Sequence, residues 1–299
     1  MPNTAAVRRR GFFFVFVATV LWSLAGLFSR MVPHLDIGTV LCGRAAFGGG
    51  CGLLLAVHDW RQSKFDARAL ISPMTPVVIL MSSTAISAYV AAVMLTSIAD
   101  VLVIYATLPF LAAGMAYVIA GERSSRRTLI AAGVAMIGVV IMVIGGFGHG
   151  HLLGQGMAFF MTAAFALLIV LQRRDARLPV APINAVAALV AAAFGYAIAK
   201  PVPVTAYDVG VLFLFGVTTI TIAFTLFMEG AKDVPPAEAS LIAMLDVVLG
   251  PLWVLMAFGE RPDVATIIGG GFVLAAALWR LAPELRGEAR SIATPPPTL

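Results

Sequence analysis

The chain alternates between long apolar runs and short polar connections. Ten windows are apolar over about twenty residues each: 11–32, 37–57, 74–95, 99–120, 128–147, 152–172, 180–199, 207–229, 236–258 and 264–282. About 20 residues of helix cross the hydrocarbon core of a bilayer. The runs lack the alternation of a barrel strand, and backbone groups in lipid must be bonded within their own segment, so each window predicts a transmembrane helix. The expected fold is all-α, a polytopic membrane protein of ten spans. The tail from Thr294 to Leu299 is Pro-rich and expected to be disordered. The first run is too long for a signal-peptide core and lacks a small-residue exit, so no cleavable leader is expected.

Composition sharpens this picture. Of 299 residues, 61% are hydrophobic and 12% charged, with a mean hydropathy of +0.98. Soluble domains carry about 25% charged residues, so lipid must cover most of this surface. The net charge of +5 does not point to nucleic acid, because the basic residues cluster between apolar runs. With the connections assigned alternately to two sides, 16 of the 20 Lys and Arg fall on the side of the N-terminus. Arg30, Lys200 and Arg261 fall on the other, and Arg44 lies inside a run. That bias places both termini in the cytoplasm. Cys42 and Cys51 lie nine residues apart on one predicted helix. They are separated by about 13 Å along its axis, too far for a disulfide, and read as small apolar residues.

The sequence Gly-Glu-Arg occurs at 121–123 and again at 259–261, each time at the exit of an apolar run. The same offset sets Ala99-Asp100 on Ala237-Glu238, Thr128 on Thr266 and Gly133 on Gly271. With its own offset, Gly11 to Arg30 matches Gly154 to Arg173, and Trp22 falls on Phe165. Windows 1–5 therefore repeat as windows 6–10, dividing the chain into halves at 1–148 and 149–299. Five is odd, so the second half enters the membrane from the opposite side. The result is an inverted repeat about an axis in the membrane plane, an arrangement that transporters use.

The stretches VLWSLAGLFSR (Val20–Arg30), LCGRAAFGG (Leu41–Gly49), LPFLAAGMAYVIAGER (Leu108–Arg123) and LDVVLGPLWVLMAFGERP (Leu245–Pro262) together resemble the EamA-type transporters of the drug/metabolite transporter superfamily. The resemblance covers nearly the whole chain. It implies two five-helix halves, both termini inside, a place in the inner (plasma) membrane, a central cavity lined by both halves, and export of amino acids or other small metabolites. The chain departs from the family where Glu-Pro is common in the second half: here stands Asp246-Val247, with the proline displaced to Pro251, while the first half keeps Leu108-Pro109.

Polar residues inside a span are functional candidates. Asp246 lies about ten residues into window 9 and can meet a substrate ammonium or carry a proton. The bland reading is a protonated carboxyl bonded to a neighbouring helix. The cavity is favoured, because a buried unpaired carboxylate is costly. Arg44 can meet a substrate carboxylate, but the resemblance favours a structural role, since the family carries an Arg here across differing substrates. The structural partner would be Asp36 or Asp100, or the side chain would snorkel. The stripes SSTAISAY and TTITIAFT supply Ser83, Ser87, Tyr89, Thr218, Thr221 and Thr225, partly on shared helix faces. They can line a polar path, although each hydroxyl alone can equally satisfy its own backbone. Trp22, Tyr89, Tyr105 and Trp253 are interior aromatics that can stack on a substrate or pack a core. Pro109 and Pro251 can act as hinges. Glu122 and Glu260 read as structural corners or gate contacts, each after a Gly that ends a helix.

Two imidazoles, His149 and His151, lack a third ligand, so no metal is expected. No Walker motif, HExxH or GxSxG occurs, so neither ATP drive, a cofactor nor enzymatic chemistry is expected. The expected function is export of small metabolites by alternating access, foremost amino acids with aromatic or other apolar side chains. The alternatives are an exporter of drugs or other amphipathic metabolites, or a flippase for a lipid carrier. The expected partners are a small-molecule substrate and the lipid bilayer, with no nucleic acid. Ten helices can enclose a site in one chain, so a monomer suffices.

Overall fold

Residues 4–62, 72–120, 126–146, 151–174, 179–231, 233, 242–243 and 245–293 are described by the structure, a computed structural model. Glu122, His149, the tail from Thr294, and the basic residues Lys64, Arg68, Arg123, Arg177 and Lys232 lie outside the described residues. Regular structure among the described residues is entirely helical. Six helical stretches are long and apolar enough to cross a membrane: Val7–Met31, Ile37–Arg61, Met74–Leu95, Ile98–Ile119, Ala181–Ile198 and Ala206–Gly230. Four shorter apolar helices, Leu129–Ile141, Leu152–Leu168, Asp246–Phe258 and Val264–Trp279, fall on the remaining windows. In chain order these ten are spans 1 to 10. Large apolar side chains turn outward along them, Leu54, Val118 and Ile267 among them, as a surface solvated by lipid requires.

The ends of the spans are set by local chemistry. Asp36 caps span 2, accepting from the Gly38 and Thr39 amides at 2.9 and 3.3 Å and from the Thr39 hydroxyl at 2.6 Å. Thr205 and Asp208 close a reciprocal capping box on span 8. Span 9 ends at Gly259, whose φ of 70° suits a residue without a Cβ. Burial opposes the charge on Asp36, but the Thr39 hydroxyl and the Thr39, Lys200 and Gly38 amides outweigh it and hold the carboxyl below its ordinary 3.8. A lowered folded value stabilises above the unfolded value and is lost as pH falls through the folded one. Asp36→Ala is thus expected to cost about 1 kcal/mol near neutral pH. In detergent melts, its gap from the wild type should close below about pH 4; a gap unchanged in acid would contradict this account of the cap.

The packing of the spans follows the inverted repeat. Span 2 packs on its own mate, span 7, and span 5 on its mate, span 10. Span 3 packs on span 6 as span 8 packs on span 1, and span 3 on span 7 as span 8 on span 2. Each of these is what a two-fold exchange of the halves produces. The Gly11 and Gly154 match also has a physical counterpart. Gly154 leaves no room for a Cβ against Leu95 and Thr96 at the end of span 3, and Gly230 at the end of span 8 leaves none against the Gly11 carbonyl. Spans 2 and 8 meet backbone to backbone. A Cβ on Gly48 would stand 2.7 Å from the Gly216 carbonyl oxygen, and one on Gly216 would overlap the Arg44 carbonyl.

Candidate functional site

Among the described residues, four spans depart from a regular α-helix. Span 1 breaks at Leu24, between Thr4–Ser23 and Ala25–Met31. Span 4 breaks at Ala106 and Thr107, between Ile98–Tyr105 and Leu108–Ala120. Span 8 passes through a π-helical segment, Val217–Ile222. Span 9 turns at Leu245, where Asp246 opens the helix that runs to Phe258. Irregular backbone at membrane depth is tolerated where protein buries it or where it lines a cavity, and discontinuous helices and π segments mark binding sites in transporters. Each irregularity adjoins a residue singled out from the sequence: Trp22, Tyr105, Thr218 with Thr221, and Asp246.

Pro109 sits in the first turn after the span 4 break, where its missing N–H leaves no helical bond unmade. Pro251 behaves differently. The helix continues through it to Phe258, and the break lies six residues earlier, so Pro251 is no break point of span 9.

Side chains from both halves meet at this level. The Trp22 indole donates to the Thr219 carbonyl at 2.9 Å and packs on the Phe227 ring at 5.1 Å. The Trp253 indole donates to the Ser23 hydroxyl at 2.9 Å. Tyr105 meets Phe165 edge to face, with centroids 6.3 Å apart. The Asp246 Oδ1 is buried and has no hydrogen-bond partner among the described residues.

Arg44 takes neither of its expected partners. Asp36 is committed to its cap, and Asp100 accepts from Thr96, Gln155 and Thr266 at 2.9, 3.2 and 2.5 Å. Nor does Arg44 snorkel, being only 7% exposed. Its guanidinium carbon lies over the rings of Tyr89 and Phe215, 5.0 and 4.5 Å from their centroids. Sequence reasoning missed Phe215, Ser23 and Thr219. The π-helical register was the signal for Thr219, and it is a tertiary one.

The hydroxyl stripes divide. Ser83, Ser87, Thr218 and Thr225 each donate to a carbonyl three or four residues back in their own helix. Thr221 instead reaches across to the Gly48 carbonyl at 2.7 Å and joins span 8 to span 2.

Glu260 joins the two halves at the end of the bundle opposite the N-terminus. Its carboxylate takes a two-pronged contact from Arg30, at 2.7 and 3.2 Å, and Arg30 also donates to the Val93 and Thr96 carbonyls. The latch joins the first half to the second across the ends of spans 1, 3 and 9. The pair is partly exposed and therefore partly screened. Glu260→Gln is expected to cost roughly 1 kcal/mol in detergent melts at low salt, and less at 1 M salt. A cost indifferent to salt would rule out an ion pair as its cause.

Ten apolar spans in two inverted halves, broken around a buried charged and aromatic centre, define a polytopic membrane transporter. The sequence model of the EamA-like transporter family matches residues 9–144 and again 152–281, and the chain belongs to that family. One of 21 matching solved chains, a crystal structure 19% identical, superposes with a TM-score of 0.63 over 91% of this chain and 97% of its own. At that identity the likeness is one of fold. No curated protein matches the sequence.

Proposed function

We propose that the protein exports small amphipathic metabolites, foremost amino acids with aromatic or other apolar side chains, by alternating access. The carrying observation is that four helix irregularities, two in each half, adjoin or contain Trp22, Tyr105, Thr219 and Asp246. Asp246 would hold a substrate ammonium. Trp22, Tyr89, Tyr105 and Trp253 would supply apolar walls, which suits a substrate with one polar end. The inverted halves would exchange conformations, turning a site open to one face into a site open to the other. The family is one of transporters, and the chain is read as a carrier and not an enzyme. With the N-terminal face in the cytoplasm of the inner membrane, the Arg30–Glu260 latch would close the outer face.

Counterflow in proteoliposomes tests this. Vesicles loaded with an unlabelled amino acid should transiently accumulate the labelled one, across a panel that includes phenylalanine, leucine and threonine. Absence of counterflow with every amino acid would reject the amino-acid reading. A second reading, export of lipophilic cations, is favoured by the carboxylate set among aromatic rings; counterflow by cationic dyes alone would select it.

A further inference from the structure

We infer that Arg44 is the carboxylate-binding side chain of the amino-acid site, joined to Trp22 through Thr219. The inference rests on the amino-acid reading above and deepens it. It begins from an incomplete coordination. A guanidinium carries five N–H donors. In Arg44, Nε and one terminal nitrogen reach the Thr219 hydroxyl at 3.4 and 3.3 Å, long for such bonds. The other terminal nitrogen is buried, with no hydrogen-bond partner among the described residues. Buried arginines are paired or bonded, because leaving one bare is costly. Asp36 and Asp100 are committed elsewhere, and among the described residues no carboxylate pairs with Arg44, so an external carboxylate would complete its bonding.

The surroundings fix the orientation in which that anion would be met. Tyr89 and Phe215 lie against the Arg44 guanidinium and limit where a ligand can approach it. The Thr219 hydroxyl donates to the Phe215 carbonyl at 2.6 Å, which turns its lone pairs to the guanidinium and steadies the fork. A planar fork held in this way suits a carboxylate, which can accept two parallel N–H bonds.

Asp246 is the complementary lack. Its Oδ1 is equally buried and unpartnered, and no ion pair joins it to Arg44 among the described residues. A cation short of an anion and an anion short of a cation, contributed by opposite halves, match a ligand that carries both charges. An amine lacks the group for Arg44, and a simple carboxylate lacks the group for Asp246. Each should therefore bind worse than the amino acid of the same side chain.

The test is competition against labelled phenylalanine or leucine counterflow by the matching decarboxylated amines, phenethylamine and isoamylamine. The wild type should need at least about tenfold more amine than unlabelled amino acid for half-inhibition. Arg44→Gln should compress that ratio to within about twofold, and Arg44→Lys should retain part of it. A wild type that takes amine and amino acid equally well overturns the inference, as does an Arg44→Gln protein that keeps the full ratio. If Arg44→Gln does not fold, the wild-type ratio and Arg44→Lys still decide. Counterflow of amino acids without discrimination defeats this inference alone; no amino-acid counterflow at all defeats the reading beneath it.

Discussion

Asp246→Asn is expected to lower amino-acid counterflow by more than about tenfold while the protein stays folded and monodisperse. Asparagine keeps the size of the side chain and its place in the first turn of the helix after Leu245. What it removes is the charge. Truncating one partner of a buried charge contact costs about 2–5 kcal/mol, and each 1.4 kcal/mol is a factor of ten. Counterflow needs no net proton movement, so it reads the substrate contact separately from coupling. Asp246→Glu should fall between the two, with the charge kept and its position shifted. An Asp246→Asn protein that exchanges amino acids at the wild-type rate would reduce the residue to a packing role.

The second large effect separates two glycines on one helix. Gly48→Val should leave little folded protein, whereas Gly50→Val should be nearly silent. A Cβ at Gly48 would crowd the Gly216 carbonyl and Ile220 in span 8, while one at Gly50 would meet nothing within 4 Å. Overpacking ordinarily costs about 1–3 kcal/mol, and a backbone atom cannot turn aside as a side chain can. The same displacement would move Thr219 away from Arg44, since both hang on this crossing. Size-exclusion profiles and detergent melts of the two variants, side by side, read the difference. Equal behaviour would remove the close crossing of spans 2 and 8 from the account.

Much of the fold was legible because lipid imposes a coarse rule that hydropathy reports directly. The ten windows reappear as helices, and the paired Gly-Glu-Arg marked a repeat that the packing of spans 2 on 7 and 5 on 10 expresses in space. The site was legible in part. Asp246 and Arg44 stood out because charges are rare at that depth. The breaks at Leu24 and Leu245 did not, since neither position carries a glycine or proline and the interruption depends on neighbouring spans. Pro109 does flag a break, and Pro251 flags one that does not occur. Ser83, Ser87 and Thr225 show a further limit, because a hydroxyl bonded to its own helix and one facing a substrate look alike in sequence. Arg30 stands in the sequence only as a cation at the far end of the first window, and its pairing with Glu260 is a tertiary feature that sequence does not display.

The central claim is one shared site that opens to the two faces in turn, and thiol accessibility tests it most directly. Ser23→Cys places a thiol beside Trp253, at a position 2% exposed and close to the span 1 break. It is made with Cys42 and Cys51 replaced by alanine. Membrane-impermeant maleimide is then applied to one face of sealed vesicles at a time, with the Arg30–Glu260 latch intact and with Glu260→Gln. The account predicts that loosening the latch speeds labelling from the far face and slows it from the N-terminal face. Simultaneous labelling from both faces, unaffected by the latch, would indicate a continuous pore and contradict it.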